Sequence, residues 1–256
     1  MTNRVLYQFP LSLYCEKAAW VLDFKGLGYR CRNMVPGMHL PVAYARAGIP
    51  TLPLLRDGQT TVGDSTAIAL WLERRQPMPA LLPEAPVMRE QVLALEGYFD
   101  ELGDHVRRVV WQLAVDGPQM AQIFWGFAGY GPAVRLLGRC TVPVLRYMLR
   151  WRFRLNEADA AVSWQRVTDG LLYVESLLAA NGGCYLVGDQ FTLADLTGAA
   201  MLAPLVGPDN SPWSAQRLGI PMTAERQALR DSPVGQWVLR MYAQHRGTRH
   251  DAGHPT

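Results

Sequence analysis

The segment "RRQPMPALLPEAP", residues 74–86, constrains the fold more than any other part of the chain. Pro77, Pro79, Pro83 and Pro86 each lack an amide donor and push the preceding residue out of helical backbone geometry, so neither a helix nor a strand ladder can run through. The 256 residues therefore divide at this joint, and the two sides show different hydrophobic periods. Expected boundaries are residues 1–76 for a first domain, 77–87 for the joint, 88–245 for a second domain and 246–256 for a flexible tail.

Upstream of the joint, short strand-like runs alternate with helices. "RVLYQF" and "YRCRNMV" read as strands, and "TLPLLRDGQTTVG" as a hairpin turning at Asp57-Gly58. In "CEKAAWVLDFKG", Cys15, Ala18, Ala19 and Leu22 follow the i, i+3, i+4, i+7 spacing of one buried stripe, and Gly26 supplies a stop. "DSTAIALWLERR" repeats the logic with Ala67, Leu70 and Trp71. The order is strand, helix, strand, short helix, strand, strand, helix. Downstream the period is helical almost throughout. "REQVLALEGYFDELGDHVRRVVWQLA" reads as one long helix weakened by Gly97 and Gly103, and "VSWQRVTDGLLYVESLLAA" as another ending at Asn181-Gly182-Gly183. In "FTLADLTGAAMLAPL", Thr192 and Asp195 have capping-box spacing, with Phe191 and Leu196 placed to form a hydrophobic staple. "SPVGQWVLRMYAQHR" is the last expected helix.

Composition narrows the function classes. Hydrophobic residues make up 49% and charged residues 18%, which excludes a disordered or highly charged chain. The first residues lack the basic and long apolar run of a secretory signal, and no stretch is apolar enough to span a bilayer, so a cytoplasmic protein is expected. Cys15, Cys31, Cys140 and Cys184 are scattered, and His39, His105, His245, His250 and His254 form no metal-ligand spacing with them; no metal is expected. Net charge is only +3, which gives no support to a nucleic-acid partner. Its distribution is uneven. Residues 1–82 hold nine Lys/Arg against five Asp/Glu, so the first domain mildly favours a small anion.

The order of an α/β unit of this size, a proline-rich joint and an all-helical partner resembles the cytosolic glutathione transferase superfamily over essentially the whole chain. Four local motifs carry the resemblance. "SLYCEKAAWVLDFKGLGY" looks like the first helix of the family's thioredoxin-like domain, and "GIPTLPLLRDG" like its segment in which a cis-proline precedes a β-hairpin. "GDSTAIALWLE" looks like its acidic-Ser-x-Ala-Ile helix start, and the Thr192–Asp195 cap like the folding signal of its helical domain. The implied fold is an α/β thioredoxin-like domain followed by an all-α bundle. The implied activity is activation of the glutathione thiol for attack on a small hydrophobic electrophile, with glutathione as cosubstrate and a homodimer as the assembly. A glutathione-dependent isomerase or thiol-disulfide oxidoreductase, and a noncatalytic protein-binding relative, are the alternatives.

Candidate site residues follow from the motifs read physically. Glutathione chemistry needs a thiolate near neutral pH, and a helix N-terminus favours an anion there. Ser12 precedes the apolar stripe and has the side chain of a helix cap, so it is the first candidate to hold the sulfur. Cys15 falls on the stripe and points inward as a small apolar group, while Tyr14 is a rival donor placed for packing; both stay open as alternatives. The resemblance implies that Pro50 is the cis-proline, with Pro53 competing, and that Ile49 offers its backbone to the tripeptide. Asp64 and Ser65 open the next helix and suit an ammonium and a carboxylate side by side. The family's basic residue two positions before the cis-proline is here Gly48, for which Arg46 or His39 could substitute. Tyr98, His105, Arg108 and Trp111, on the long helix after the joint, are candidates to line the second-substrate pocket. Arginines 135, 139, 146, 150, 152 and 154 read as a solvated face.

Overall fold

A computed structural model describes residues 4–34, 39–118, 120, 121, 136, 138, 140–220 and 222–247. The first part runs β1 (Arg4–Gln8), α1 (Leu13–Phe24), β2 (Arg30–Asn33), α2 (His39–Ala47), β3 (Leu54–Asp57), β4 (Thr60–Gly63) and α3 (Ser65–Arg75), the order its periodicity predicts. The strands form one sheet in the order β2-β1-β3-β4, with β1 parallel to β2 and antiparallel to β3. Alternation sorts the two faces. Leu6 and Leu55 enter the main core with α1 and α3, whereas Val5, Tyr7 and Leu54 form a second cluster with Ala43 of α2. The hairpin turns one residue later than expected: Asp57 still pairs with Thr60, leaving Gly58-Gln59 as the two-residue loop.

After the joint come α4 (Pro86–Ala114), α5 (Val142–Phe153), α6 (Glu157–Ala180), α7 (Leu193–Val206), α8 (Ala215–Leu218), α9 (Ala224–Asp231) and α10 (Pro233–His245). Pro86 opens α4 where its missing amide costs nothing. Helix α7 is apolar all round and buried from Leu193 to Pro204, as the central helix of a bundle must be. It packs on α4, α6's neighbour α10 and α1, so the helical part closes directly against the α/β part. Asp195 fixes its start. One carboxylate oxygen accepts the Leu186 N–H at 2.8 Å; the other accepts the Thr192 N–H at 3.0 Å and the Thr192 hydroxyl at 2.9 Å. Arg135, Arg139 and the tail from residue 248 lie outside the described residues.

Two expectations are corrected here. The buried stripe of α3 is Ser65, Ile68, Ala69 and Leu72, not Ala67, Leu70 and Trp71. The run "AIALWL" is apolar enough to offer two stripes, and the sheet selects the one in phase with Ser65. Arg246, the last residue of the final expected helix and the first of the segment given as a flexible tail, is 2% exposed and so belongs to the folded part. Its Nε donates to Glu16 Oε1 at 2.7 Å and its Nη1 to Asp23 Oδ2 at 2.6 Å, both on α1. Burial by itself lowers the guanidinium pKa, and Glu16 and Asp23 more than offset this, so it stands above its ordinary value. The guanidinium also lies 5.7 Å from the Trp20 ring, whose Nε1 donates to the His245 carbonyl at 2.9 Å.

Removing one partner of a buried charge cluster leaves the others uncompensated. Arg246→Leu is expected to destabilise the protein by about 3–5 kcal/mol in urea unfolding. Adding Glu16→Gln and Asp23→Asn to that variant should recover part of the loss, because the orphaned charges are then removed as well.

Burial pushes the Asp195 carboxyl up to about 6 against the hydrogen bonds from Leu186, Thr192 and its own amide that favour its ionised form. A folded-state pKa above the unfolded one means that the native state binds more protons through the acid range. Stability from this group is therefore greatest at low pH and falls as pH rises from about 4 to 6. Relative to Asp195→Asn, the wild type should lose about 2–3 kcal/mol across that window, read as the pH dependence of the difference between two denaturation series.

Candidate active site

The sheet register brings three chain segments to one end of the fold. Tyr7 pairs with Leu54, and Leu54 with Gly63. The exit of β1 toward Ser12, the entry to β3 after Pro53, and the exit of β4 toward Asp64 therefore lie in adjacent rows at the same edge. Helices α1 and α3 both begin there, so two sets of unpaired amides face the same region.

Ser12 is the N-cap of α1, in extended geometry (φ −93°, ψ 122°) and half-buried. Its Oγ accepts the Cys15 N–H at 3.4 Å, and its own N–H donates to the Phe9 carbonyl at 3.0 Å. Capping uses the hydroxyl only as an acceptor, so its proton stays available. Cys15 is 1% exposed, and its sulfur accepts the Phe9 N–H at 3.4 Å. Tyr14 turns the other way. Its hydroxyl lies 2.6 Å from Asp104 Oδ1 and 3.0 Å from the Asp100 carbonyl on α4, with the Arg107 guanidinium 5.3 Å from its ring. Burial, and with it the Asp104 carboxylate, raises the phenol well above its usual range although Arg107 opposes this. A phenol so held is a neutral interdomain strut.

In the segment before the hairpin the cis-proline is Pro53, not Pro50. Strand β3 begins at Leu54, so Pro53 enters it, while Pro50 lies three residues upstream in the connection from α2. Ile49 then no longer precedes the cis bond; Leu52 does. Ile49 instead packs over the end of β4, where a Cβ at Gly63 would come within 2.5 Å of its Cδ1. The position two residues before the cis-proline becomes Thr51 in place of Gly48, again without a cation. His39 is the first residue of α2.

Asp64 caps α3, its Oδ1 accepting the Ala67 N–H at 3.0 Å. Its backbone is strained, at φ 73° and ψ 137° in a region that favours glycine. Next to it, Ser65 is 1% exposed, and its hydroxyl has no hydrogen-bond partner among the described residues. A buried hydroxyl left unsatisfied costs about 1–3 kcal/mol. A strained backbone beside an unpartnered buried hydroxyl makes the start of α3 a candidate binding turn.

The four residues expected in the second-substrate pocket separate. Tyr98 packs edge-on against Tyr173 of α6 (5.0 Å). His105 Nδ1 lies 3.1 Å from Ser163 Oγ, also on α6, and Arg108 Nη1 donates to the same oxygen at 2.7 Å. Burial pushes the His105 imidazole down, with Arg108 and Arg166 adding to it. Tyr98 and His105 therefore face α6, on the side of α4 away from Tyr14, whereas Arg108 reaches both sides, its Nε donating to the Phe153 carbonyl at 2.9 Å. Trp111 is different. It stacks on Phe153 (6.5 Å, 4° between planes) in an apolar cluster against which Phe9 also packs. Arg107 bridges this cluster to Tyr14, with its guanidinium 4.7 Å from the Phe153 ring. Phe9, Asp104, Arg107 and Phe153 were not singled out in the sequence. One signal was present: Gly103, in mid-helix, leaves room for Met201 of α7 and for Tyr14, since a Cβ there would sit 2.6 Å from the Met201 Sδ and 3.1 Å from the tyrosine hydroxyl. Among the described residues no cluster of His, Cys, Asp and Glu could hold a metal ion, and no helix is long and apolar enough to cross a membrane.

A thioredoxin-like sheet with a capped helix start, closed against a bundle of helices, is the architecture of the glutathione transferase fold. The family defined as "Glutathione S-transferase, N-terminal domain" matches residues 6–80, and that defined as "Glutathione S-transferase, C-terminal domain" matches residues 147–216. The chain belongs to the glutathione transferase superfamily. Glutathione S-transferase Z1 of Arabidopsis thaliana is 25% identical over 204 residues, covering 78% of this chain and 75% of its own length. Among solved structures, human glutathione S-transferase T1-1 superposes with a TM-score of 0.63 at 17% identity, covering 96% of this chain and 84% of the other. The β-etherase LigF of Sphingobium superposes with a TM-score of 0.61 at 20% identity, covering 94% and 99%.

The difference in exposure among the cysteines is measurable. Cys140 and Cys184 are exposed and Cys15 is buried. Iodoacetamide should alkylate Cys140 and Cys184 promptly in the folded protein and reach Cys15 only on unfolding, read by peptide mass spectrometry.

Proposed function

We propose that the protein is a serine-type glutathione transferase that activates the glutathione thiol and presents it to a small apolar electrophile. The observation that carries this reading is the state of Ser12. Its oxygen caps α1 while its proton is unused, and it sits where the helix dipole favours an anion. A free thiol with a pKa near 8.5 is mostly protonated at neutral pH. A hydroxyl donor and the first-turn amides lower that value by stabilising the thiolate. The sulfur then attacks the electrophilic carbon, a C–S bond forms, the leaving group departs with its electron pair, and the thiol proton passes to solvent.

The remaining groups suit the tripeptide. The Ser65 hydroxyl and the first-turn amides of α3 would meet the γ-glutamyl carboxylate, and the second oxygen of Asp64 its ammonium. Backbone pairing with the cysteinyl part moves from Ile49 to Leu52, along with the cis-proline. The electrophile would lie against Phe9, Trp111 and Phe153, the aromatic wall tied to Ser12 through the Phe9 carbonyl. Thiol-disulfide exchange through Cys15 finds no support, because its sulfur is buried and already accepts a backbone amide.

Conjugation of an aryl halide such as 1-chloro-2,4-dinitrobenzene tests the reading. Losing a hydrogen bond to a charged sulfur should lower kcat/KM about 10- to 100-fold in Ser12→Ala. Ser12→Asp separates capping from catalysis, since it keeps the cap acceptor but cannot donate; it should be as stable as wild type and inactive. Cys15→Ala should retain activity and lose stability. Activity surviving in Ser12→Ala but lost in Cys15→Ala would sink the assignment.

A further inference from the structure

On the face of the sheet that carries α2, the register gathers positive charge. Arg30 and Arg56 flank Val5 from either side, and in the next row but one Arg32 flanks Tyr7. Arg46, near the end of α2, reaches the same ring, so that the Arg32 and Arg46 guanidiniums lie 5.7 Å and 5.4 Å from its centroid. Together with Val5 and Tyr7 these four arginines line an open cleft of about 310 Å³. Among the described residues none of the four side chains makes an ion pair or a hydrogen bond, and the Arg56 Nε is buried without a partner. No acidic side chain is near in sequence either: from Phe24 to Arg56 the chain holds no Asp or Glu. Asp57, the next residue, falls on the opposite face by alternation and is held by Arg4 at 3.0 Å.

Surface arginines ordinarily find a carboxylate or a carbonyl. Four converging on one cleft without either repel one another, and a bound anion relieves that repulsion. We infer that this cleft is a binding site for a small diphosphate-bearing anion. Guanidinium forks match phosphoryl oxygens bidentately, which favours phosphate over a lone carboxylate. The charges come from β2, β3 and α2 and span two registers of β1, about 7 Å along the strand. Two linked phosphoryl groups meet that spread better than one. The Tyr7 ring is 2% exposed, so no base or aromatic group of the ligand stacks on it. Recognition rests on the diphosphate, whether free or as the tail of a nucleotide. The site lies on the opposite face of the sheet from α1, and β1 runs from the Arg30–Arg56 row toward Ser12, so occupancy of one site does not require the other.

Titration calorimetry of the full chain at about 50 mM salt tests this with inorganic diphosphate, ADP and orthophosphate as probes. Diphosphate should bind with a Kd below about 1 mM and orthophosphate at least about tenfold more weakly. ADP matching diphosphate identifies the tail as the recognised group; ADP binding much more tightly than diphosphate would overturn a site that reads phosphate alone. Arg30→Gln/Arg56→Gln should weaken diphosphate at least about tenfold, whereas Arg74→Gln/Arg75→Gln, which removes the same charge elsewhere, should not. Unchanged thermal unfolding of both variants keeps the comparison valid, and Arg56→Lys, which preserves charge and packing, should lose affinity through the missing fork alone. Saturating S-methylglutathione should leave diphosphate binding unchanged. Displacement by it, equal losses in both double variants, or tighter binding of a single-stranded oligonucleotide would overturn the proposal.

Discussion

Everything in this fold hangs on helix α1, and α1 hangs on charges it cannot neutralise alone. Glu16, Lys17, Asp23 and Lys25 are all buried, in or just after a helix whose other side chains are apolar. Each meets a partner from a different part of the chain. Arg246 closes on Glu16 and Asp23. Lys17 reaches Thr66 at the start of α3, Asp100 at 2.8 Å and Glu96 on α4. Lys25 reaches Glu73 at 2.6 Å and the carbonyls of Gln76 and Pro79 in the joint. Buried ion pairs of this kind add little net stability over an apolar core, but breaking one is costly, so they act as a lock on geometry.

That lock bears on the site. The mouth of α1 is set against α4 by Lys17 from within and by Tyr14 from the edge, and the first turn of α3 is pinned to the same cluster through Thr66. Both helix starts that face the ligand region are thus referenced to one buried ammonium. A cleft between a sheet and a bundle would otherwise widen or close with any shift between the two. Here such a shift would pull a charge from its partner in low dielectric, so the relative placement of Ser12 and Ser65 is stiff.

Much of this was legible in the sequence, and what was not has physical reasons. The β/α order, the joint, the buried Cys15 stripe and the Thr192–Asp195 cap are local patterns, set by residues within a few positions of one another. Glu16, Lys17 and Asp23 look like the solvated side of an amphipathic helix, because nothing nearby tells that their counter-charges arrive from residues as much as 230 positions away. Arg246 looked like the start of the tail for the same reason. The phase of α3 was ambiguous because its apolar run fits two stripes. Pro50 and Pro53 differ only in where β3 starts, a choice made by pairing with β1. Tyr98 and His105 share a helix with Arg107 and Trp111, but 3.6 residues per turn carry them to the α6 side, and Arg108, between the two, reaches both. Amphipathic periodicity identifies a helix and cannot say which of two partners each face will meet.

The serine at the head of α1 takes its meaning from the cysteine three residues on. With a thiol at both positions, an exposed sulfur would do its own redox chemistry and the buried one would resolve it. Here the inner thiol is kept, packed and hydrogen-bonded by the Phe9 amide, while the outer one is an oxygen. A hydroxyl at a helix mouth is a poor nucleophile without a base, and among the described residues the partner of the Ser12 hydroxyl is the Cys15 amide, which is not one. It remains a good donor and a good cap at once. In the proposed reading the architecture would stabilise an anion without supplying one, and the reacting sulfur would come with the ligand.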